Sequence, residues 1–317
     1  MPMLQCVRID EFTSERGQQY NGFSLSYEVA GCPLGTAPIV LVNHALTGNS
    51  SVAGEQGWWG SLIGPGKAID TIRYTIFAFN IPGNGYDGGV YSDPEQFTLC
   101  DVAHLFVKGL QKLGISALDA IIGASMGGAL TWQMAYLYPT LARRIFPIAC
   151  DYKASDWLIA QTYVQQLILA HSNDPLRDAR VHAMLCYRTP PSLNQRFGEQ
   201  SNPQSGRAEI IEWLTYHGTR LSERFTLSAY QVMTYLTATI RVCSTVSELA
   251  AIKSAIHLVS IDSDLLFTHD RSVELYRELS RLKPDTTLST LHSIHGHDAF
   301  LMEYEQLNRI IAPYFKV

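Results

Sequence analysis

The five residues Gly123-Ala124-Ser125-Met126-Gly127 constrain this chain more than any others. They follow the apolar run Leu118-Asp119-Ala120-Ile121-Ile122 and precede the helix-like Gly128-Ala129-Leu130-Thr131-Trp132-Gln133-Met134. A β-branched run that ends in Gly-x-Ser-x-Gly and opens a helix is the strand–turn–helix context of a nucleophile elbow. The glycines have a steric reason. A serine on a sharp, strained turn needs neighbours without a Cβ, so that the backbone folds tightly and the hydroxyl stands clear of the sheet. Without downstream partners the same pentapeptide is only a tight glycine turn, so the rest of the chain decides its meaning.

Short β-branched runs alternate with helical stretches. Strands are expected at Phe23 to Val29, Pro38 to Asn43, Tyr74 to Asn80, Leu118 to Gly123, Arg144 to Ala149, Ile256 to Asp262 and Thr287 to His292. Helices are expected at Leu99 to Leu113, Met126 to Tyr138, Arg271 to Leu282 and Ala299 to Phe315. This alternation predicts an α/β fold, a mostly parallel sheet with helices on both faces. Runs such as Pro38-Ile39-Val40-Leu41-Val42 are apolar at nearly every position, as when both faces of a sheet are covered. The alternation lapses between about Asp151 and Ser247. That stretch reads as helices at Ser155 to Leu169, Leu176 to Tyr187, Glu209 to Tyr216 and Ser228 to Ile240. An insertion between parallel strands sits over their carboxyl ends, where ligands bind. The expected organisation is therefore a core of residues 1–150 and 248–317 with a helical lid at 151–247; a separate helical domain is the alternative.

Composition narrows the function classes. A chain of 317 residues with 46% hydrophobic residues can bury one large core. Its net charge of −5 gives a nucleic-acid partner no electrostatic support. No run is long enough to span a bilayer and Met1 to Phe12 carries no signal-peptide core, so no membrane partner and a cytoplasmic location are expected. Six scattered cysteines lack metal-like spacing and are expected to be reduced. The string Gly83-Asn84-Gly85-Tyr86-Asp87-Gly88 spells a dinucleotide fingerprint, but Val90-Tyr91-Ser92-Asp93-Pro94 continues the loop where a helix is required. No metal and no bound redox cofactor are expected.

A serine hydroxyl attacks only when a base takes its proton and a third group orients that base. On a parallel sheet these follow in the order Ser, Asp/Glu, His, on loops after strands. Asp264 lies just past the run Ile256 to Asp262, and His297 follows Leu288-Ser289-Thr290-Leu291. Asp262 and Asp270 compete with Asp264; His292 and His295 compete with His297. Asp262, at a strand end, also reads as a loop cap, and the run His292 to Asp298 reads more weakly as a metal cluster. The oxyanion of a tetrahedral intermediate needs fixed donors. The Met126 amide is one, and the loop His44-Ala45-Leu46-Thr47-Gly48 offers a second, best the amide of Leu46.

At this point the chain resembles the homoserine O-acetyltransferase family of α/β-hydrolase-fold acyltransferases. The matching strings are His44-Ala45-Leu46-Thr47-Gly48, Gly57-Trp58-Trp59 with Gly64-Pro65-Gly66-Lys67 and Asp70-Thr71, Gly123 to Gly128, Asp151-Tyr152-Lys153, Tyr187-Arg188, Arg196-Phe197-Gly198, Arg224-Phe225, Ser263-Asp264-x-Leu266-Phe267, and Gly296-His297-Asp298-x-Phe300-Leu301. The resemblance implies an α/β-hydrolase fold with Ser125 as nucleophile, Asp264 as orienting acid and His297 as base. It implies acyl-CoA as co-substrate, an amino-acid acceptor met by Arg180, Tyr187 and Asp298, and a homodimer formed through the helical insertion. An arginine suits a carboxylate, and an acid beside the histidine suits an ammonium. Read alone, Arg180 is also a surface helix residue, Tyr187 a core residue and Asp298 a helix N-terminal charge. The chain departs from the family in a shorter loop after Gly83, a shorter segment between Ile168 and Arg180, Gln166 where arginine is usual, and Thr226 where aspartate is usual. Hydrolysis of a small acyl ester by the same three residues is the competing activity.

Overall fold

The structure, a computed structural model, describes residues 3–315; the ends of the expected core, 1–2 and 316–317, lie outside the described residues. One sheet holds β1 (Gln5–Thr13), β2 (Gln19–Gly31), β3 (Ile39–Asn43), β6 (Thr75–Phe79), β7 (Leu118–Ala124), β8 (Ala142–Ile148), β9 (Ala255–Ile261) and β10 (Thr286–Leu291). Their order is β1-β2-β6-β3-β7-β8-β9-β10, and a separate pair joins β4 (Ile63–Gly64) to β5 (Ile69–Asp70). The β1–β2 and β2–β6 pairings are antiparallel and the others parallel. All seven expected strands are present. β1 is the addition. Val7 and Ile9 are buried on one phase but Phe12 on the other, so the segment shows no clean alternation; its pairing with β2 carries it.

The apolar runs are explained by burial on both sides. Leu41, Phe77, Ile121 and Ile145 face one core with α1 (Leu99–Lys112), α2 (Met126–Leu137) and α8 (His269–Leu282). Val40, Val42, Ile76, Ile122 and Phe146 face the other, under Trp59, Leu62 and Tyr74 from the segment after β3 and under α9 (Tyr304–Ile311). Each such side chain contributes about 1.5–3 kcal/mol of burial, which sets the strand register and hence the position of every loop at the carboxyl edge.

Between β8 and β9 run α3 (Asp156–His171), α4 (Pro175–Tyr187), α5 (Pro190–Phe197), α6 (Glu209–Ser222) and α7 (Leu227–Ala238). α5 is not among the expected helices, and it opens on two prolines, Pro190 and Pro191. They occupy the first turn, where missing amides cost nothing, and Thr189 caps the helix by accepting from the Ser192 amide. The single helix expected at Ala299 to Phe315 is corrected to three pieces: a 3₁₀ turn at Gly296–Leu301, α9, and a 3₁₀ turn at Ala312–Phe315. The amides of Met302 and Glu303 both return to the Ala299 carbonyl, which closes the first turn, and Pro313 has no amide to continue α9. From Gly83 to Thr98 no helix forms. Among the described residues no helix is long and apolar enough to cross a membrane.

Candidate active site

β7 delivers Ser125 to the carboxyl edge of the sheet at φ 57° and ψ −129°, a conformation non-glycine residues rarely adopt. The surroundings enforce it. The Ser125 amide donates to the Ile148 carbonyl at 2.9 Å, and the Ala129 amide donates to the Ser125 carbonyl at 3.1 Å. A Cβ on Gly123 would lie 2.3 Å from the Gly127 carbonyl oxygen, and one on Gly127 would lie 2.2 Å from that of Asn43. The two glycines thus serve close approach of backbones, while the positive φ falls on the serine itself.

Three side chains from distant loops meet here. His297 Nε2 lies 2.9 Å from Ser125 Oγ, and His297 Nδ1 lies 2.7 Å from Asp264 Oδ2. Asp264 Oδ1 accepts the amides of Leu266 at 2.7 Å and Phe267 at 2.9 Å, which fixes the carboxylate plane. With Nδ1–H donated to the acid, Nε2 is left as the acceptor facing the serine. All three residues are buried, and Tyr187, Phe267 and Phe300 enclose the imidazole with ring centroids at 5.6, 5.5 and 5.4 Å. Burial pushes the His297 pKa down, but the Asp264 charge and hydrogen bond, helped by Asp298, outweigh it and hold it above the ordinary histidine value.

The competing residues have other partners. Asp262 accepts the Ser293 amide at 3.1 Å and pairs with exposed His292 at 2.9 Å, so it ties two loops together. His295 Nδ1 lies 2.8 Å from Ser192 Oγ, and Asp270 is an exposed charge in the first turn of α8. The three histidines of 292–297 thus point to three different places; among the described residues no three His, Cys, Asp or Glu side chains gather as a metal-binding group.

The loop after β3 is held by a residue whose part the sequence did not reveal. His44 is fully buried; its Nδ1 donates to the Ala45 carbonyl at 2.8 Å and its Nε2 accepts the Ile81 amide at 2.9 Å. Burial drops its pKa to about 4, so it stays neutral and keeps that tautomer. Leu46 then lines the same cavity as Ser125. Among the described residues neither the Leu46 nor the Met126 amide has a hydrogen-bond acceptor, so both are free to serve an oxyanion.

That cavity is roofed by α3, α4 and α7 through Leu158, Gln165, Ala183, Tyr187 and Tyr230. Tyr187 bridges from it to the acceptor candidates: its ring lies tilted 40° against that of His297, and the Arg180 guanidinium lies 5.5 Å from its centroid. Asp298 sits within the fields of Arg180, His297 and Arg188, yet burial dominates and raises its pKa. Gln166 is exposed on α3. Its neighbour Gln165 faces the cavity instead, bonded to the Ala179 carbonyl at 3.1 Å and His182 Nδ1 at 2.6 Å. The spacing Leu158, Thr162, Gln165, Leu169 is the inward helical stripe that marks it. Thr226, also exposed, caps α7 by accepting the Ala229 amide at 3.2 Å, a task aspartate performs equally well.

A family model described as the alpha/beta hydrolase fold matches residues 38–296. The homoserine O-acetyltransferase of Salinibacter ruber is 32% identical over 98% of this chain and 97% of its own length. That of Nostoc punctiforme is 34% identical over 86% and 84%. This chain belongs to the homoserine O-acetyltransferase family. Two crystal structures show the same fold: the homoserine O-acetyltransferase from Bacillus anthracis, with TM-score 0.87, 18% identity and coverage of 100% of this chain and 98% of that one, and esterase E22, with TM-score 0.88, 21% identity and full coverage of both.

Proposed function

We propose that this chain is an O-acyltransferase that moves an acyl group, acetyl by the names of its relatives, from acyl-CoA through a Ser125 acyl-enzyme to the hydroxyl of homoserine. The observation that carries the reading is the hydrogen-bonded chain Ser125–His297–Asp264 beneath the helical roof. His297 Nε2 takes the Ser125 proton as Oγ attacks the thioester carbonyl. The Leu46 and Met126 amides stabilise the oxyanion; its collapse expels the CoA thiolate, which leaves with the proton held on His297. The acceptor hydroxyl then gives its proton to His297 and attacks the acyl-enzyme carbonyl; Ser125 leaves reprotonated.

Arg180 and the Tyr187 hydroxyl suit the acceptor carboxylate, and Asp298 suits its ammonium. Residues 151–247 act as the lid that keeps water from the acyl-enzyme. The exposed α3 side chains Trp157, Tyr163, Val164 and Leu167 support a homodimer through that insertion. Purified protein incubated with a grid of acyl-CoA donors and amino-acid acceptors tests the reading. O-acyl-homoserine identified by mass spectrometry supports it. CoA released at the same rate with and without homoserine, with no O-acyl product, makes the chain a thioesterase instead.

A further inference from the structure

Among the arginines on or beside α4–α6, Arg220 pairs with Glu223 at 2.7 Å and Arg177 with Asp174 at 3.3 Å. Arg180, Arg188, Arg196 and Arg224 have no carboxylate within 4 Å among the described residues. Two of them converge on one indole: the Arg188 guanidinium lies 5.8 Å and that of Arg196 5.6 Å from the Trp213 centroid. Phe197 and His217 pack on the same ring at 5.5 and 4.4 Å. Arg188 is buried, and hydrogen bonds to Ser192 Oγ at 2.6 Å and to His295 Nδ1 at 3.2 Å hold it in place. Like charges held this close repel, and the acid that faces Arg188, Asp298, is shared with Arg180 and His297. Burial, then Arg180, Arg196 and Arg188, push His217 down to about 4, so it adds no charge of its own.

We infer that Arg188, Arg196 and Trp213 form an anion platform that takes the phosphate groups of the acyl donor's nucleotide end. The inference rests on the donor being a CoA thioester. The cavity at Ser125 is lined by no lysine or arginine, so the phosphates of that donor must lie outside it, on the adjoining surface. The acceptor carboxylate needs one planar guanidinium, which Arg180 supplies; the remaining forks match tetrahedral phosphate oxygens. Arg180 on Tyr187 joins the platform to the cavity.

Isothermal titration of the full chain with CoA, dephospho-CoA, pantetheine and inorganic phosphate tests the platform without relying on turnover. CoA binds tightest, dephospho-CoA less tightly and pantetheine weakest, and added salt weakens only the phosphate-bearing ligands. Arg196 is exposed, so Arg196→Ala leaves folding intact. It weakens CoA roughly tenfold or more while pantetheine changes by less than about twofold; Trp213→Leu reproduces the pattern. CoA bound no tighter than pantetheine, or an Arg196→Ala protein that binds CoA like the wild type, overturns the platform. Inorganic phosphate competing away CoA at equal affinity overturns the nucleotide assignment. Selective CoA binding without acylation of Ser125 refutes the transferase reading and leaves the platform standing; acyl transfer with CoA affinity untouched in Arg196→Ala does the reverse.

Discussion

Replacing Asp264 with asparagine separates the orienting role of the acid from its shape. Asp264 Oδ1 accepts two amides, from Leu266 and Phe267, while Oδ2 takes the His297 Nδ1 proton. In Asp264→Asn the amide oxygen must stay on the two backbone donors. Reversing it would set an NH₂ against both and leave them unpaired, at about 1–3 kcal/mol each. The NH₂ therefore faces His297 Nδ1 and makes it an acceptor, which moves the ring proton to Nε2, against Ser125 Oγ. The serine then has no base. In triads of this kind the equivalent change lowers kcat by about 10⁴, or ~5.5 kcal/mol. The assay is the rate of Ser125 labelling by a fluorophosphonate, alongside acyl-CoA turnover, with a thermal melt to show that the fold survives. A variant that melts like the wild type but labels within about tenfold of its rate refutes the orienting role.

Further predictions concern single groups. Because Asp264 and Asp298 hold the His297 pKa above its ordinary value, labelling rises with pH to a plateau through a midpoint above about 6.5; a midpoint below 6 contradicts the assignment. The same raised value stabilises the fold below about pH 6.5, and that contribution is lost as pH rises through the folded-state pKa. His44, depressed to about 4, has the opposite sign: its contribution is present above about pH 6.5 and is lost as pH falls toward 4, read as a falling urea midpoint. His44→Ala strips the Ile81 amide of its buried acceptor, costing about 1–3 kcal/mol, and lowers kcat more than it changes KM. Gly127→Ala forces a Cβ to 2.2 Å from a backbone oxygen, so its melting temperature falls by an amount matching at least ~1–3 kcal/mol. Arg180→Ala raises the homoserine KM about tenfold or more while the first acylation of Ser125 keeps its rate.

Much of this architecture is legible because its signals are local. Strands buried on both faces are continuous apolar runs, and Gly-x-Ser-x-Gly names its own turn because three backbones crowd there. The choice of Asp264 over Asp262 is not local. Both sit at the end of β9, and only the returning loop shows that Asp262 is spent on Ser293 and His292. Gln165 in place of Gln166 is a matter of helical phase, fixed by how α3 packs on α4 and α7. His44 escaped notice because its partner, the Ile81 amide, is 37 residues away. The breaks around α9 and the prolines opening α5 are position effects: the same residue type stops one helix and starts another.

The central claim is a covalent acyl group on one serine, and intact-protein mass spectrometry tests it directly. Mixed with acetyl-CoA and no acceptor, the protein should gain a single acetyl mass, mapped by peptide sequencing to Ser125 and discharged when homoserine is added. A Ser125→Ala protein that still forms O-acetyl-homoserine, or an acetyl group found on any other residue, contradicts the account.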